Sequence, residues 1–132
     1  MPEARVKRFN GNGLAAPKVP LSHGALVDGW LHVAGMVARD KSGQIVDDDA
    51  KQATIICLEN LMDVVSTAGG TKSDVVKVNV YLKDFGDYPA MNAAFEEFFG
   101  GDYPTRTTIE SGLGLGDVEL DGVAFIADPV VP

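Results

Sequence analysis

The C-terminal third of the chain carries the pattern that most restricts its fold. Two runs rich in β-branched residues, 104–110 and 117–126, flank a connection that contains Gly112, Gly114 and Gly116. Runs of this kind are typical of strands, and a glycine-containing connection between them is typical of a hairpin. We therefore expect the two runs to pair as an antiparallel hairpin with a long connection.

Two side chains in these runs suggest a chemistry. Arg106 lies near the start of the first run and Glu119 near the start of the second. Arginine offers a rigid fork of donors for a carboxylate, and a glutamate beside a bound substrate can take a proton from water. If the strands pair, both side chains lie near the ends of neighbouring strands, where sites tend to form. Spacing alone favours the simpler interpretation, an ordinary surface Arg–Glu pair of little energetic value.

The rest of the chain alternates between strand and helix patterns. Asp28-Gly29 between two apolar runs predicts a tight hairpin. An acidic N-cap at 47–49 and an apolar stripe up to Gly69-Gly70 predict a first helix. Residues 75–82 alternate as a strand, and a second helix follows from Pro89 to about Phe99. The expected fold class is α+β, with two helices on one face of a mainly antiparallel sheet, in a single domain over 1–132.

Composition narrows the possible partners and location. The net charge of −8 disfavours nucleic acid, whose binding relies on Lys and Arg, and a carboxylate ligand would need a local cation. Cys57 is the only cysteine, which excludes an internal disulfide, and its apolar helical setting predicts a buried residue. The acidic triplet 47–49 predicts a helix start rather than a metal site. No apolar signal core or membrane-length stretch is evident, so we expect a cytoplasmic protein with no membrane partner.

Several stretches together resemble one family, the RidA/YjgF reactive-intermediate deaminases. The C-terminal stretch resembles the signature of that family, through its Pro-Thr-Arg-Thr-Thr-Ile run and its Val-Glu-Leu-Asp-Gly-Val-Ala run. Four other stretches are similar to the family's strands and helices, so that the resemblance covers nearly the whole chain. They are Trp30–Gly35, Gln52–Gly70, Asp74–Asp84 and Met91–Phe99.

The resemblance implies a chorismate-mutase-like (YjgF-like) fold that assembles as a homotrimer, with sites in the clefts between subunits. A sheet covered by helices on one side leaves its other face to be buried, which also favours self-association. The implied activity is hydrolysis of reactive enamines and imines, such as 2-aminoacrylate, to a 2-keto acid and ammonia, with no metal or cofactor. In this role Arg106 would hold the substrate carboxylate and Glu119 would activate water. Gly35, Asn92 and Thr108 would line the pocket.

Some lining positions differ from the family pattern. Leu21 stands where many members have tyrosine, Ala34 replaces a serine, Met36 replaces a glutamine, and Thr108 replaces a cysteine. The hairpin loop is also altered. Because these changes remove hydrogen-bonding groups, we expect deamination to be retained with a shift towards larger or less polar substrates. His32 is expected to be a packing or interface residue, and His23 could border the cleft.

Other functions are compatible with the same residues. A non-catalytic trimer could bind 2-keto acids or other small carboxylates as a sensor, and would need Arg106 but not Glu119. A specialised branch that acts on 2-aminomuconate shares the Pro-Thr-Arg-Thr-Thr run. An endoribonuclease or translation-inhibitor role is disfavoured by the acidic charge, and a chaperone-like role has the least support.

Overall fold

The structure, a computed structural model, describes residues 5–46 and 49–130. Within these ranges six strands and two α-helices follow one another along the chain. The strands are Lys7–Phe9 (β1), Gly24–Val27 (β2), Trp30–Val37 (β3), Val75–Leu82 (β4), Thr105–Glu110 (β5) and Val118–Phe125 (β6), and the helices are Ala50–Thr67 (α1) and Tyr88–Phe99 (α2). None of these helices is long and apolar enough to cross a membrane.

The strands form one sheet in the order β1-β2-β3-β6-β4-β5, with α1 and α2 packed on one face. Every neighbouring pair is antiparallel except β4–β5, which is parallel. The fold class is therefore the expected one: α+β with a mainly antiparallel sheet.

The expected C-terminal hairpin was wrong, because β5 and β6 do not pair. β4 lies between them and pairs with both. The helix α2 carries the chain from the end of β4 back to the start of β5, so β5 runs parallel to β4 and occupies the edge. β6 then inserts between β3 and β4, beneath α1. Gly122 suits β6 to this place, since a Cβ there would lie 2.8 Å from Leu61 Cδ1 of the helix.

The first hairpin is confirmed. Val27 and Trp30 form the last pair of the β2–β3 ladder, and Asp28 and Gly29 between them have φ of 51° and 84°. Positive φ at both central positions is what a two-residue hairpin turn requires, and it explains the Asp-Gly pair.

Helix α1 begins and ends where its residues predict. The side chain of Asp49 accepts hydrogen bonds from the backbone of Lys51 and Gln52 at 2.8 and 3.1 Å, so it is the N-cap. Asp47 and Asp48, the other members of the acidic triplet, lie outside the described residues. The helix ends before Gly69, which has a φ of 87°. The predicted stripe is buried in the core: Ala53, Cys57, Leu61, Val64 and Ala68.

Strand β4 alternates as expected except at its start. Val78, Val80 and Leu82 are fully buried against the helices. Val76 was expected on the same face, but it is 41% exposed because the β4–β6 register shifts between Val75 and Lys77. No helix of the described residues covers the other face of the sheet, and we call it the open face.

Candidate active site

Glu119 lies on the open face, close to the backbone of Gly35. It is opposite Val37 of β3 and Tyr81 of β4 in the two ladders of β6. A Cβ built on Gly35 would lie only 2.6 Å from Glu119 Oε2, so the carboxylate occupies space that only glycine leaves free. The structure thus brings Gly35 and Glu119 together, and their membership of one site stays a prediction.

A β-bulge gives Gly35 this position. The β3–β6 register passes from Val33 opposite Gly122 to Met36 opposite Leu120, which leaves two residues of β3 against one of β6. Bulges of this kind turn a strand locally and are common next to sites. The bulge places Ala34 and Gly35 beside the acidic end of β6.

Arg106 lies on the other side of the sheet. It pairs with Val78 in the parallel β4–β5 ladder and so shares the helix-covered face with that buried valine. Its Cζ is 4.9 Å from the Phe95 ring centroid and 5.7 Å from that of Tyr88, both on α2. Its Nη2 also lies 3.5 Å from the Tyr88 hydroxyl. Aromatic rings therefore back the guanidinium and hold it in place.

Thr108 and Asn92 lie on the same side as Arg106. Thr108 pairs with Val80 two positions further along β5, and its buried hydroxyl has no hydrogen-bond partner among the described residues. Asn92 follows Tyr88 by four residues and precedes Phe95 by three, which puts all three on one side of α2. A buried polar group without a partner is uncommon, and here it lies beside a cation.

The structure therefore divides the predicted site into two half-sites. The first half-site consists of Arg106, Thr108 and Asn92 at the edge strand and α2, and the second of Gly35 and Glu119 on the open face. The strand β4 separates the two halves, and they lie on opposite faces of the sheet. The expectation that Arg106 and Glu119 lie at the ends of neighbouring strands was wrong, because it depended on the hairpin.

Neither charged residue is neutralised within the described part of the chain. The ion pairs found there join Arg5 to Asp28 and Lys51 to Glu97. Among residues 5–46 and 49–130, Arg106 thus has no carboxylate partner and Glu119 has no cationic one. A guanidinium backed by aromatic rings can bind a carboxylate, and a carboxylate set against a strand backbone can move a proton.

A polar network that the sequence patterns did not reveal lies next to Glu119. Asp121 accepts hydrogen bonds from the Asn79 side chain and the Tyr81 hydroxyl, both at 2.9 Å. The hydrogen bond between Tyr81 and Asp121, together with burial and the charges of Asp121 and Glu119, raises the pKa of Tyr81. The period-two spacing of Glu119 and Asp121 is the signal that could have revealed the network.

Of the remaining candidate residues, Cys57 and His23 are buried and His32 is exposed. Burial raises the pKa of the Cys57 thiol to about 12, which excludes it as a thiolate nucleophile near neutral pH. His23 is buried and its Nδ1 accepts a hydrogen bond from the backbone of Gly11 at 3.1 Å. His32 is exposed on the open face. No group of three or more potential metal ligands occurs in the described ranges.

Three residues that depart from the family pattern, Leu21, Ala34 and Met36, differ from one another in solvent exposure. Leu21 is 49% exposed and Ala34 is half-buried beside Gly35. Met36 pairs with Leu120 and packs in the core, so its side chain faces the helices rather than Glu119. Two surface cavities of about 530 and 400 Å³ lie against the outer side of α1, and neither is lined by Arg106 or Glu119.

Comparison with known proteins gives the chain a family. The family model described as Endoribonuclease L-PSP matches residues 13–126. A protein from Rhodopseudomonas palustris called a "probable translation initiation inhibitor" is 28% identical, with a TM-score of 0.85 over 92% of this chain and 98% of its own.

Two further solved structures show the same fold. The YjgF gene product of E. coli is 24% identical, with a TM-score of 0.84 over 90% of this chain and 98% of its own. YyfA of Yersinia pestis, from the conserved Rid protein family and of unknown function, is 24% identical. Its TM-score is 0.86 over 92% of this chain and 99% of its own. The chain belongs to the Endoribonuclease L-PSP family, which is the YjgF/RidA family.

Proposed function

We propose that this protein hydrolyses enamines and imines derived from amino acids to 2-keto acids and ammonia. The observation that carries the proposal is the seating of the Glu119 carboxylate against Gly35, without a cationic partner in the described chain. A carboxylate in such a position is available as a base. Family membership supports the same class of reaction.

The two half-sites act together if copies of the chain associate. In a head-to-tail ring, one surface of each subunit meets a different surface of the next, as two dissimilar half-sites require. We propose a homotrimer of this kind, in which Arg106 of one subunit and Glu119 of its neighbour border a common cleft. The uncovered open face offers the surface for that contact.

The reaction requires little beyond position and one proton carrier. Arg106 holds the substrate carboxylate, while Asn92 and the Thr108 hydroxyl supply polar contacts beside it. An enamine first becomes the imine by gaining a proton at carbon and losing one from nitrogen. Glu119 takes a proton from water as the water oxygen bonds to the imine carbon, and returns it to the nitrogen, which has received the electron pair of the C=N bond. When the C–N bond of this hydroxy-amine adduct breaks, Glu119 takes the hydroxyl proton and passes it to the nitrogen, so that ammonia leaves and the ketone forms.

The test is an assay in which an amino-acid oxidase generates the imine and semicarbazide traps what remains. We expect the wild type to accelerate imine loss and Glu119→Gln to reduce kcat by about 10²- to 10⁴-fold, the usual contribution of a positioned base. Arg106→Ala should reduce kcat/KM by about tenfold or more through loss of charge-assisted hydrogen bonds. Arg106→Lys tests whether the paired donors of the guanidinium are needed, since lysine retains only the charge.

A matched control is Glu96→Gln, which makes the same change at an exposed glutamate on α2. It should behave as the wild type. No acceleration of any imine by the wild type would contradict the proposal.

A carboxylate sensor is the second candidate, favoured by the guanidinium of Arg106, which pairs with no carboxylate of the described residues. Such a protein would bind 2-keto acids with equal affinity in the wild type and in Glu119→Gln, and would hydrolyse nothing. Ribonuclease activity, which the family description names, is disfavoured by the net charge of −8. Incubation with single-stranded RNA separates this possibility from the other two.

A further inference from the structure

A stacked aromatic pair extends from Arg106 towards solvent. The rings of Phe85 and Tyr88 are 4.7 Å apart and nearly parallel, at 15°. Tyr88 contacts the guanidinium through its hydroxyl, whereas Phe85 on the far side of the stack is 44% exposed. The first half-site thus has a cation at its inner end and an exposed aromatic ring at its rim.

The turn that carries Phe85 is fixed to the same edge strand as Arg106. The backbone N–H of Phe85 donates to Glu110 Oε1 of β5 at 2.8 Å, and Gly86 donates to the Asp84 side chain at 2.8 Å. The backbone of the turn is therefore fixed by two N–H groups that donate to carboxylates, and the ring itself stacks on Tyr88. A ring held in this way offers a preformed surface to a ligand, at little entropic cost.

The polar groups of this half-site lie at its inner end, and the apolar groups lie nearer to solvent. Arg106 and the Thr108 hydroxyl, which has no partner among the described residues, suit a carboxylate and a neighbouring polar group. The Tyr88–Phe85 stack suits a planar or bulky apolar group further out. Ligand sites are commonly built from a few polar groups beside an apolar wall.

We propose that Phe85 is a specificity-determining residue and that the preferred substrates are imines of amino acids with aromatic side chains. This inference rests on the proposed function, because it takes the carboxylate of the substrate to be held by Arg106. The side chain of such a substrate stacks on the Phe85–Tyr88 pair. An alanine-derived imine has no group that reaches the pair.

The test compares kcat/KM for the imines of phenylalanine and alanine in the wild type, Phe85→Leu and Phe85→Ala. We expect the wild type to prefer the phenylalanine imine and Phe85→Ala to reduce that preference by about tenfold, as loss of an aromatic contact implies. The rate for the alanine imine should change less than twofold. Phe85→Leu should give an intermediate preference, because it keeps apolar area but not the stack.

The matched control is Tyr103→Leu, a change at a 52% exposed aromatic residue outside the stack. It should leave the preference unchanged. A wild type that hydrolyses both imines, with a preference that Phe85→Ala does not alter, would overturn the inference while the proposed function stands.

Failure of the proposed function is recognised separately. If the wild type hydrolyses neither imine, calorimetric titration with phenylpyruvate and pyruvate decides the question of specificity. If the wild type binds phenylpyruvate more tightly than pyruvate and Phe85→Ala loses this difference, the result would support Phe85 as a specificity-determining residue. Equal affinities, or a preference that survives the substitution, would overturn it.

Discussion

The position of the Glu119 carboxylate depends on the absence of a side chain at Gly35. The Cβ of any other residue there would lie 2.6 Å from Oε2, well inside van der Waals contact. The atom it would meet is the far end of a flexible side chain rather than backbone. A substitution at Gly35 should therefore move the carboxylate and leave the sheet intact.

This reasoning gives a prediction for Gly35→Ala. We expect kcat/KM for imine hydrolysis to fall by about 10²-fold, because a displacement of roughly 1 Å in a reacting group is enough to do so. The thermal unfolding midpoint should change little. Gly112→Ala is the control, since a Cβ at Gly112 meets nothing within 4 Å. Full activity in Gly35→Ala would show that the carboxylate position is not critical.

Among the elements, the segment 10–14 shows how a loop without regular structure is fixed to the fold. Its backbone N–H groups donate to side chains of α1 and of the approach to β2. Gly11 donates to His23 Nδ1, Asn12 to Thr67 Oγ1, and Gly13 to both Asp63 carboxylate oxygens. Three side chains thus accept from this loop, and two of them, His23 and Asp63, are titratable.

Protonation of His23 should weaken this anchor. The imidazole must be neutral at Nδ1 to accept from Gly11, and burial lowers its pKa, opposed in part by the negative charge of Asp63. A lowered pKa in the folded state means that stability is complete above the unfolded pKa of about 6.5. Stability is then lost as the pH falls from that value towards the folded pKa.

We expect the free energy of unfolding to decrease as the pH falls below about 6.5, with a slope that corresponds to the uptake of less than one proton. Chemical denaturation at a series of pH values measures it. His23→Asn, whose amide oxygen can accept from Gly11 at any pH, should remove this part of the slope. An identical slope in His23→Asn would assign the pH dependence to other groups.

In the whole molecule, the two half-sites are separated by β4 and lie on opposite faces of the sheet. No rearrangement short of repacking the sheet would bring Arg106 to Glu119 within one chain. The proposed association would unite them, and it would also cover the open face, where Trp30 and Phe125 pack edge to face at 4.9 Å.

Mixing two impaired variants tests this division directly. If each cleft takes Arg106 from one subunit and Glu119 from the next, unfolding and refolding Arg106→Ala with Glu119→Gln regenerates intact clefts. Random assembly of equal amounts into closed rings should restore about a quarter of wild-type activity. A sizing measurement on the same sample checks that assembly has occurred.

The control mixes the double variant Arg106→Ala/Glu119→Gln with Arg106→Ala. This pair contains no subunit with Arg106 intact, so no activity should return. Absence of recovery in the first mixture, despite assembly, would mean that each chain carries a complete site.

The local structure of this protein, most of its core positions and its family could be predicted from the sequence alone. The positions of the helices follow from local chemistry: Asp49 caps the start of α1, Gly69 and Gly100 end the two helices with positive φ, and Asp28-Gly29 makes a hairpin turn. Period-two and helical spacings also identified most of the core. The motifs around Arg106 and Glu119 indicated the family, because they are local in the chain.

Only the tertiary structure decided which strands are neighbours and which face each site residue occupies. The glycine-rich connection after Glu110 was compatible with a hairpin, but the α2 crossover placed β5 at the edge and β6 in the centre. Strand order depends on contacts between distant residues, such as Leu61 against Gly122, which local patterns do not encode. The same contacts place Arg106 against the rings of α2 and Glu119 on the open face, and so divide the candidate site.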